Sequence, residues 1–441
     1  MLSVFGGAES VLAAHVLTTT CLLIALIVMF LWFRQLSVSD ALAAFGVALF
    51  AILPQTYLMA LSILSENLYL ALSLLALTIA ARVNLDSRPG PFWAIALCVS
   101  AAALTRSAGI SLVVAYLAYL GVQRPHRWQF YAFLAVAPAF IWIFFGSHRT
   151  SGYVQHWVDG FREQPLDQMI GQLRRSIPMF WVGWVANFTS GRAGVLVATL
   201  VGVLGLVGSA YRTFRGYLDG YYVFVYLGMT LLWPFPDEAA RFLYVLIPIL
   251  LGHACLCVAR LAGLLDLRFQ TFPVFILLGA VAIVALPDLV ITATRFFQPL
   301  PSALESFRRS ASFYERGPES PLARISADQG LLSGFHNIGQ FVPAQACIYS
   351  IKPSLVSYFS DRRSIAPPAP RVDDDTFRHA LERSGCRFFF MLGFQSPSFG
   401  QRYYPLYRMS GQLRALNITF SYGTDESPVT ILAERAIPHY P

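Results

Sequence analysis

The chain has 441 residues, of which 56% are hydrophobic and only 13% are charged, and its mean hydropathy is +0.56. A soluble domain is usually about one quarter charged, so this composition excludes an ordinary soluble protein and favours a membrane protein. The net charge is +8, and the loops between apolar runs hold many of the arginines, so we expect the bilayer as a partner and no nucleic acid.

Apolar runs fill the first two thirds of the chain. They cover residues 11–33, 41–63, 67–82, 91–105, 109–122, 129–147, 193–211, 217–235, 242–262 and 271–294. A straight span needs about 20 residues, and three of the runs are shorter. We predict an α-helical polytopic membrane domain of about ten transmembrane helices over residues 1–295.

Arginine positions set the predicted orientation, because cytoplasmic loops carry an excess of Lys and Arg. With the N-terminus outside, each of the five inner loops contains arginine. The inner-loop arginines are Arg34, Arg82, Arg88, Arg124, Arg127, Arg212, Arg215, Arg260 and Arg268. Merging 91–122 into one helix would send the last four of these outward. The preferred topology is a bacterial inner membrane protein with its C-terminal domain extracytoplasmic.

The topology places four membrane features on the outer face. They are the turn at Ser65–Glu66, the turn at Arg106, the loop 148–192 and the segment Pro236–Arg241. Within the loop, apolar residues recur at helical spacing after Pro165, and polar residues fill the other face. The apolar residues are Leu166, Met169, Ile170, Leu173, Ile177, Phe180, Trp181 and Trp184. This pattern predicts an amphipathic helix lying in the membrane interface.

Residues 296–441 predict an extracytoplasmic soluble α/β domain. Ala346–Ser350 and Arg387–Leu392 read as strands around a helix at Val372–Ser384, which is a βαβ unit, with edge strands at 419–422 and 428–432. Neighbouring parallel strands would bring Cys347 and Cys386 within disulfide range. Two buried free thiols are the alternative.

Three charged residues lie at helix ends that the topology places on the outer face. A boundary carboxylate such as Glu66 and guanidinium groups such as Arg106 and Arg241 suit binding of a lipid phosphate, with Tyr244 one turn beyond Arg241. The structural alternatives are a helix N-terminus for Glu66, an ion pair with Glu66 or headgroups for Arg106, and an interfacial anchor for Arg241. The topology predicts that the three charges converge.

Polar residues of the outer segments complete the candidate site. The candidate catalytic carboxylates are Glu66, Asp159 and Glu163. The candidate substrate-binding residues are Arg106, Arg241, Tyr244, Tyr153, His156, Asp237 and Glu238. The sequons at Asn187 and Asn417 are short and common, and we assign them no role. No motif indicates a cofactor bound within the chain or a metal ligand set, although a divalent metal is not excluded.

The order of these motifs resembles a known family. Pro54, Ser65-Glu66, Leu104-Thr105-Arg106-Ser107-Ala108-Gly109 and Arg241-Phe242-Leu243-Tyr244 are together similar to the C-type membrane glycosyltransferases, near the bacterial relatives of protein O-mannosyltransferases and of the lipid A aminoarabinose transferase. The resemblance implies inverting hexosyl or pentosyl transfer from a polyprenyl-phosphate-linked sugar to a lipid, glycan or protein acceptor. It implies phosphate binding by Arg106 and Arg241, with Glu66 in support.

One departure from the family pattern concerns the N-terminal end. Family members carry their main catalytic Asp or Glu in a first outer loop after a first helix, and only Glu9 stands near that place here. We therefore expect either a start upstream of Met1 or an inactive relative. Two other function classes remain open at the sequence level: a transporter or flippase of a lipid-linked substrate, and a scaffold in a cell-envelope complex. A transporter is expected to have internal repeats with Gly- or Pro-broken spans at matching positions in two halves, and the sequence shows no such halves.

Overall fold

The computed structural model describes most of the predicted helices and the core of the tail. The described residues are 11–36, 39–61, 65–83, 90–146, 165–189, 191–233, 239–265, 271–296, 334–335, 337–351, 353–367, 373–392, 416–423 and 428–435. The chain separates into two compact units that divide near Ala293, the first helical and the second built on a sheet. Each unit has its own hydrophobic core.

The first unit is entirely helical within the described residues. Its helices are α1 Val11–Gln35, α2 Asp40–Ile52, α3 Pro54–Leu61, α4 Glu66–Arg82, α5 Gly90–Thr105, α6 Ile110–Gln123, α7 Trp128–Gly146, α8 Pro165–Ala186, α9 Arg192–Phe214, α10 Leu218–Leu231, α11 Ala239–Tyr244, α12 Ile247–Leu264 and α13 Phe272–Phe296. A 3-10 turn at Ser107–Gly109 joins α5 to α6. Every predicted apolar run overlaps at least one of these helices.

The helices differ in length as the runs predicted. Among the described residues, four helices are long and apolar enough to cross a bilayer: Val16–Gln35, Arg192–Phe214, Ile247–Leu264 and Phe272–Ile291. The other apolar helices are shorter, including those at 40–52, 91–105, 107–123 and 128–141. Apolar side chains line much of the surface of this unit, Leu196 and Ile283 among them. The chain is thus an α-helical polytopic membrane protein whose outer surface suits lipid.

Two runs are broken where a continuous helix was expected. The run 41–63 divides at Leu53, because Pro54 lacks an N–H and instead suits the first position of α3. Near the run 242–262, the six-residue α11 ends at Tyr244 and α12 begins at Ile247, with Pro248 in its first turn. The second break leaves Arg241 on a short separate helix, which matters for the site.

Helix α8 forms in the loop 148–192 as predicted, and its apolar stripe is partly exposed and partly buried. Ile170, Ile177 and Trp181 of the stripe are exposed, whereas Phe180 and Trp184 are buried together with the polar Gln172 and Ser176. A helix at a membrane surface gains by turning apolar side chains outward and polar ones toward protein partners. The exposed apolar face is what an interfacial position requires.

The second unit is a five-stranded mixed sheet. Its strands are β1 Cys347–Tyr349, β2 Arg363–Ile365, β3 Phe388–Leu392, β4 Leu416–Gly423 and β5 Pro428–Arg435, in the order β2-β1-β3-β5-β4. Helix α14 Pro353–Ser360 precedes β2, and α15 Asp374–Ser384 precedes β3. The β1–β2 and β1–β3 pairs are parallel, and β3–β5 and β4–β5 are antiparallel.

The sheet extends the predicted βαβ unit and corrects it in two places. An additional helix and strand, α14 and β2, lie between the predicted first strand and the predicted helix. The sequence analysis did not predict them. Strand β5, expected at an edge, lies between β3 and β4. Cys347 and Cys386 form a disulfide with a Cα separation of 4.5 Å, so the pairing is confirmed and the free-thiol alternative is not.

Candidate functional site

Glu66 is the centre of a buried ionic cluster. It begins α4 and its side chain has no exposed surface, although a lone carboxylate is rarely buried. Its Oε1 atom lies 2.9 Å from Arg106 Nη1 and accepts a hydrogen bond from Arg241 Nε. Ser65 makes no capping hydrogen bond through its side chain, so a simple cap does not account for this position. We call Glu66, Arg106 and Arg241 the Glu66 cluster.

A tight turn delivers Arg106 to the cluster. Arg106 lies in extended conformation between α5 and the 3-10 turn. A Cβ atom on Gly109 would lie 2.5 Å from the carbonyl oxygen of Ala102, so only glycine lets the turn close this tightly. The guanidinium of Arg106 also lies 5.7 Å from the ring centre of Phe242, a cation–π contact with the residue next to Arg241.

Exposure increases in steps across the Glu66 cluster. The side chain of Glu66 is 0% exposed, that of Arg106 is 10% exposed and that of Arg241 is 35% exposed. The carboxylate of Glu66 is therefore the most deeply buried group of the cluster, and the side chain of Arg241 is the most exposed. Among the described residues Glu66 Oε2 and Arg106 Nη1 are buried without a partner in hydrogen-bond geometry. Polar capacity at the site is thus not fully used.

Tyr244 lies one turn beyond Arg241, as predicted, but it is fully buried. Its hydroxyl donates to Asn67 Oδ1 at 3.0 Å, and Asn67 Nδ2 donates to the carbonyl of Met59 at 3.1 Å. Tyr244 therefore ties α11 to α4 beneath the cluster and does not face outward in this structure. A role in positioning fits it better than direct substrate contact.

The structure brings three of the predicted site residues together, and most of the others lie outside the described residues. Glu66, Arg106 and Arg241 converge, as the topology predicted; whether they bind a substrate stays a prediction. Six candidates lie outside the described residues: Asp159, Glu163, Tyr153, His156, Asp237 and Glu238. Glu9 also lies outside them.

A second buried ionic cluster was missed in the sequence. Asp219 in the first turn of α10 binds Arg212 of α9 through two hydrogen bonds, of 3.0 and 2.6 Å. His253 Nε2 of α12 lies 3.5 Å from Asp219 Oδ2, and its Nδ1 lies 2.8 Å from the hydroxyl of Ser209. We call these four residues the Asp219 cluster. Its one sequence signal is an acid and a histidine inside otherwise apolar runs.

Comparisons with known proteins find solved structures of similar fold but no match to a family model or to a curated protein sequence. In fold the chain is similar to the oligosaccharyltransferase of Archaeoglobus fulgidus, solved with zinc and sulfate, at 13% identity and a TM-score of 0.41 over 84% of this chain. The chain spans only 55% of that protein's length.

Two structures of ArnT from Cupriavidus metallidurans are also similar. The apo form has 14% identity and a TM-score of 0.39, covering 96% of this chain and 83% of ArnT. The form bound to undecaprenyl phosphate has 12% identity and a TM-score of 0.39, covering 96% and 84%. Likeness of this degree does not establish an activity, so the functional argument depends on the Glu66 cluster.

Proposed function

We propose that the chain is a membrane glycosyltransferase that moves a sugar from a polyprenyl-phosphate donor to an extracytoplasmic acceptor. The observation that supports the proposal most is that one carboxylate oxygen, Glu66 Oε1, receives guanidinium groups from two separate segments. Two arginines held side by side present their donors to one anion. Phosphate is an anion whose oxygens match the fork of a guanidinium group.

The geometry favours an anion site over a simple structural ion pair. Each guanidinium carries five N–H donors, and the contact with Oε1 uses one nitrogen of each arginine. A structural pair gains most when the guanidinium engages both carboxylate oxygens, but here Oε2 has no partner among the described residues. In this proposal the carboxylate orients both guanidinium groups, and the ligand phosphate approaches from the side of Arg241, the more exposed of the two side chains.

In this proposal each residue has a separate part in the reaction. An acceptor hydroxyl attacks the anomeric carbon, the bond from that carbon to the phosphate oxygen breaks, and the polyprenyl phosphate leaves. Arg106 and Arg241 stabilise the charge that develops on the leaving phosphate. Glu66 is buried beneath them and positions them. The group that takes the acceptor proton remains a prediction, with Asp159 and Glu163 as candidates.

Arginine variants test the phosphate site directly. Each charge-assisted hydrogen bond contributes about 1.5–3 kcal/mol. Arg241→Ala should therefore raise the Kd for undecaprenyl phosphate by roughly one to two orders of magnitude, measured in detergent by native mass spectrometry. Arg241→Lys should recover part of the loss, because an ammonium group keeps the charge but lacks the planar fork.

A matched control separates local from general effects. Arg34→Ala also removes an arginine ion pair, that with Asp40 at 2.7 Å, but that pair is exposed and has no part in the Glu66 cluster. It should leave the Kd unchanged. An unchanged Kd in Arg241→Ala would overturn the phosphate site. Transfer of labelled sugar from donor to acceptor, rather than movement of intact donor across vesicles, separates a transferase from a transporter.

A further inference from the structure

We infer that Asn187 and Gly183, near the end of α8, position Arg241 for the donor phosphate; this inference rests on the proposed function. In the sequence, Asn187 is notable only as the first residue of a sequon. In the structure its side chain is fully buried, so it is not available for modification. Its role follows from its hydrogen bonds.

The amide group of Asn187 links α8 to the segment that carries Arg241. Nδ2 donates to the carbonyl of Gly183 at 2.7 Å and to the carbonyl of Ala240 at 3.0 Å. Both partners are acceptors, so they fix which end of the amide faces them. Ala240 is the residue immediately before Arg241.

A second hydrogen bond holds the other side of Arg241. The hydroxyl of Tyr226, on α10, donates to the carbonyl of Phe242 at 2.9 Å. The carbonyl groups of the residues before and after Arg241 therefore each accept a hydrogen bond from a side chain of another segment. The six-residue α11 needs such support, because a helix this short is not stable by itself. Fixing its backbone also fixes the direction in which the guanidinium leaves it.

Gly183 permits the close approach on which these contacts depend. A Cβ atom at Gly183 would lie 2.6 Å from the backbone nitrogen of Ala240 and 3.0 Å from the carbonyl carbon of Ala239. Any side chain here must push α8 away from α11. Gly171, in the same helix, would meet no atom within 4 Å. The two glycines form a matched pair, because alanine raises helix propensity at both and clashes at only one.

Helix α8 also binds the chain before α11. Gln172 Nε2 donates to the carbonyl of Trp233 at 2.5 Å, so α8 is bonded to the chain on both sides of residues 234–238. The exposed apolar face of α8 is directed away from these contacts. An interfacial helix thereby holds the Arg241 segment, and the geometry of the phosphate site depends on where that helix lies.

A double-mutant cycle on the full chain tests the inference, with undecaprenyl phosphate as the probe. We expect Asn187→Ala and Gly183→Ala to raise its Kd about tenfold, and Gly171→Ala to leave it within about twofold. In the Arg241→Ala background, Asn187→Ala should change the Kd no further, because the residue it positions is gone. Its effect on the thermal midpoint should persist in that background.

The outcomes separate the inference from the proposed function. If Asn187→Ala weakens binding by the same factor with and without Arg241, Asn187 acts only through general stability and the inference is wrong. If Arg241→Ala has no effect on binding, the proposed function itself fails. Should Asn187→Ala not fold, Tyr226→Phe removes a single hydroxyl from the opposite side of Arg241. The same dependence on Arg241 is then required, and independence would overturn the inference.

Discussion

The two buried ionic clusters of the membrane unit contain similar groups in different arrangements. In the Asp219 cluster one guanidinium binds both oxygens of one carboxylate, and the side chains of Arg212 and Asp219 are 8% and 2% exposed. The ring of Tyr217 covers Arg212 at 3.6 Å. In the Glu66 cluster two guanidinium groups share one oxygen, and the side chain of Arg241, the more exposed arginine, is 35% exposed.

The comparison is between a carboxylate whose two oxygens both accept hydrogen bonds from one guanidinium group and a carboxylate of which one oxygen contacts two guanidinium groups. The bidentate pair of Arg212 and Asp219 joins α9 to α10 and behaves as a structural link, because both carboxylate oxygens are used. An arrangement of two cations over one buried anion retains capacity for a ligand. Ion pairs of arginine with a buried carboxylate therefore predict stability in one place and, in the proposed function, binding in the other.

The largest expected effect concerns the Asp219 cluster. Asp219→Asn leaves the charge of Arg212 buried and unpaired, and breaking a buried pair in this way costs about 3–5 kcal/mol. The thermal midpoint in detergent, followed by intrinsic fluorescence, should therefore fall much further than in Arg241→Ala. The side chain of Arg241 is only partly buried, and Arg106 still pairs with Glu66 in that variant. Equal losses in the two variants would remove the distinction between the clusters.

A glycine pair should sharpen the comparison with an intermediate effect. A Cβ atom on Gly208 of α9 would lie 2.3 Å from the carbonyl oxygen of His253, whereas one on Gly228 of α10 would meet nothing within 4 Å. Gly208→Ala should destabilise the protein by about 1–3 kcal/mol through overpacking. Gly228→Ala should be neutral or stabilising. A Gly208→Ala protein as stable as the parent would show that α9 and α12 are not tightly linked.

The smallest expected effect concerns an exposed carboxylate in the tail. Asp373 caps α15, and hydrogen bonds from the side chain and backbone of Thr376 lower the pKa of its carboxyl group. Its charge-dependent stabilisation is present above the ordinary carboxyl pKa and is lost as the pH falls through the lowered value. Asp373→Asn keeps the cap.

The midpoint of tail unfolding, measured against pH in the full chain, tests the role of the Asp373 charge. Wild type should exceed Asp373→Asn slightly at neutral pH, and the difference should vanish in acid. A constant difference would mean that the charge of Asp373 has no part in the cap. Because the group is exposed, the effect should be far below that of Asp219→Asn.

Much of the helical unit was predictable, because long apolar runs and arginine-containing loops are strong, local signals. The convergence of Glu66, Arg106 and Arg241 followed from the same topology. Helix α8 was predicted, but the spacing did not show which of its side chains are buried: Trp184 and the polar Gln172 are buried, whereas Ile177 is exposed. Strand β2 was missed because three residues are too few to show the alternation of apolar and polar side chains that indicates a strand.

The Asp219 cluster and the contacts of Asn187 were missed for a different reason. Arg212, Asp219 and His253 lie on three helices, and no spacing along the chain announces that they meet. Asn187 binds Ala240 across 53 positions of sequence, and a sequon pattern draws attention to its surface chemistry instead of its packing. Contacts between distant segments are set by tertiary packing, which single-sequence patterns do not encode.

The central claim is that the Glu66 cluster binds the phosphate of a polyprenyl donor, and headgroup discrimination tests it most directly. Affinities of the parent protein and of the Arg106→Ala/Arg241→Ala double variant would be measured for undecaprenyl phosphate and for uncharged undecaprenol. Two charge-assisted contacts predict that the parent prefers the phosphate by on the order of 100-fold or more, and that the double variant loses most of this preference. A preference of the same size in both proteins would contradict the account.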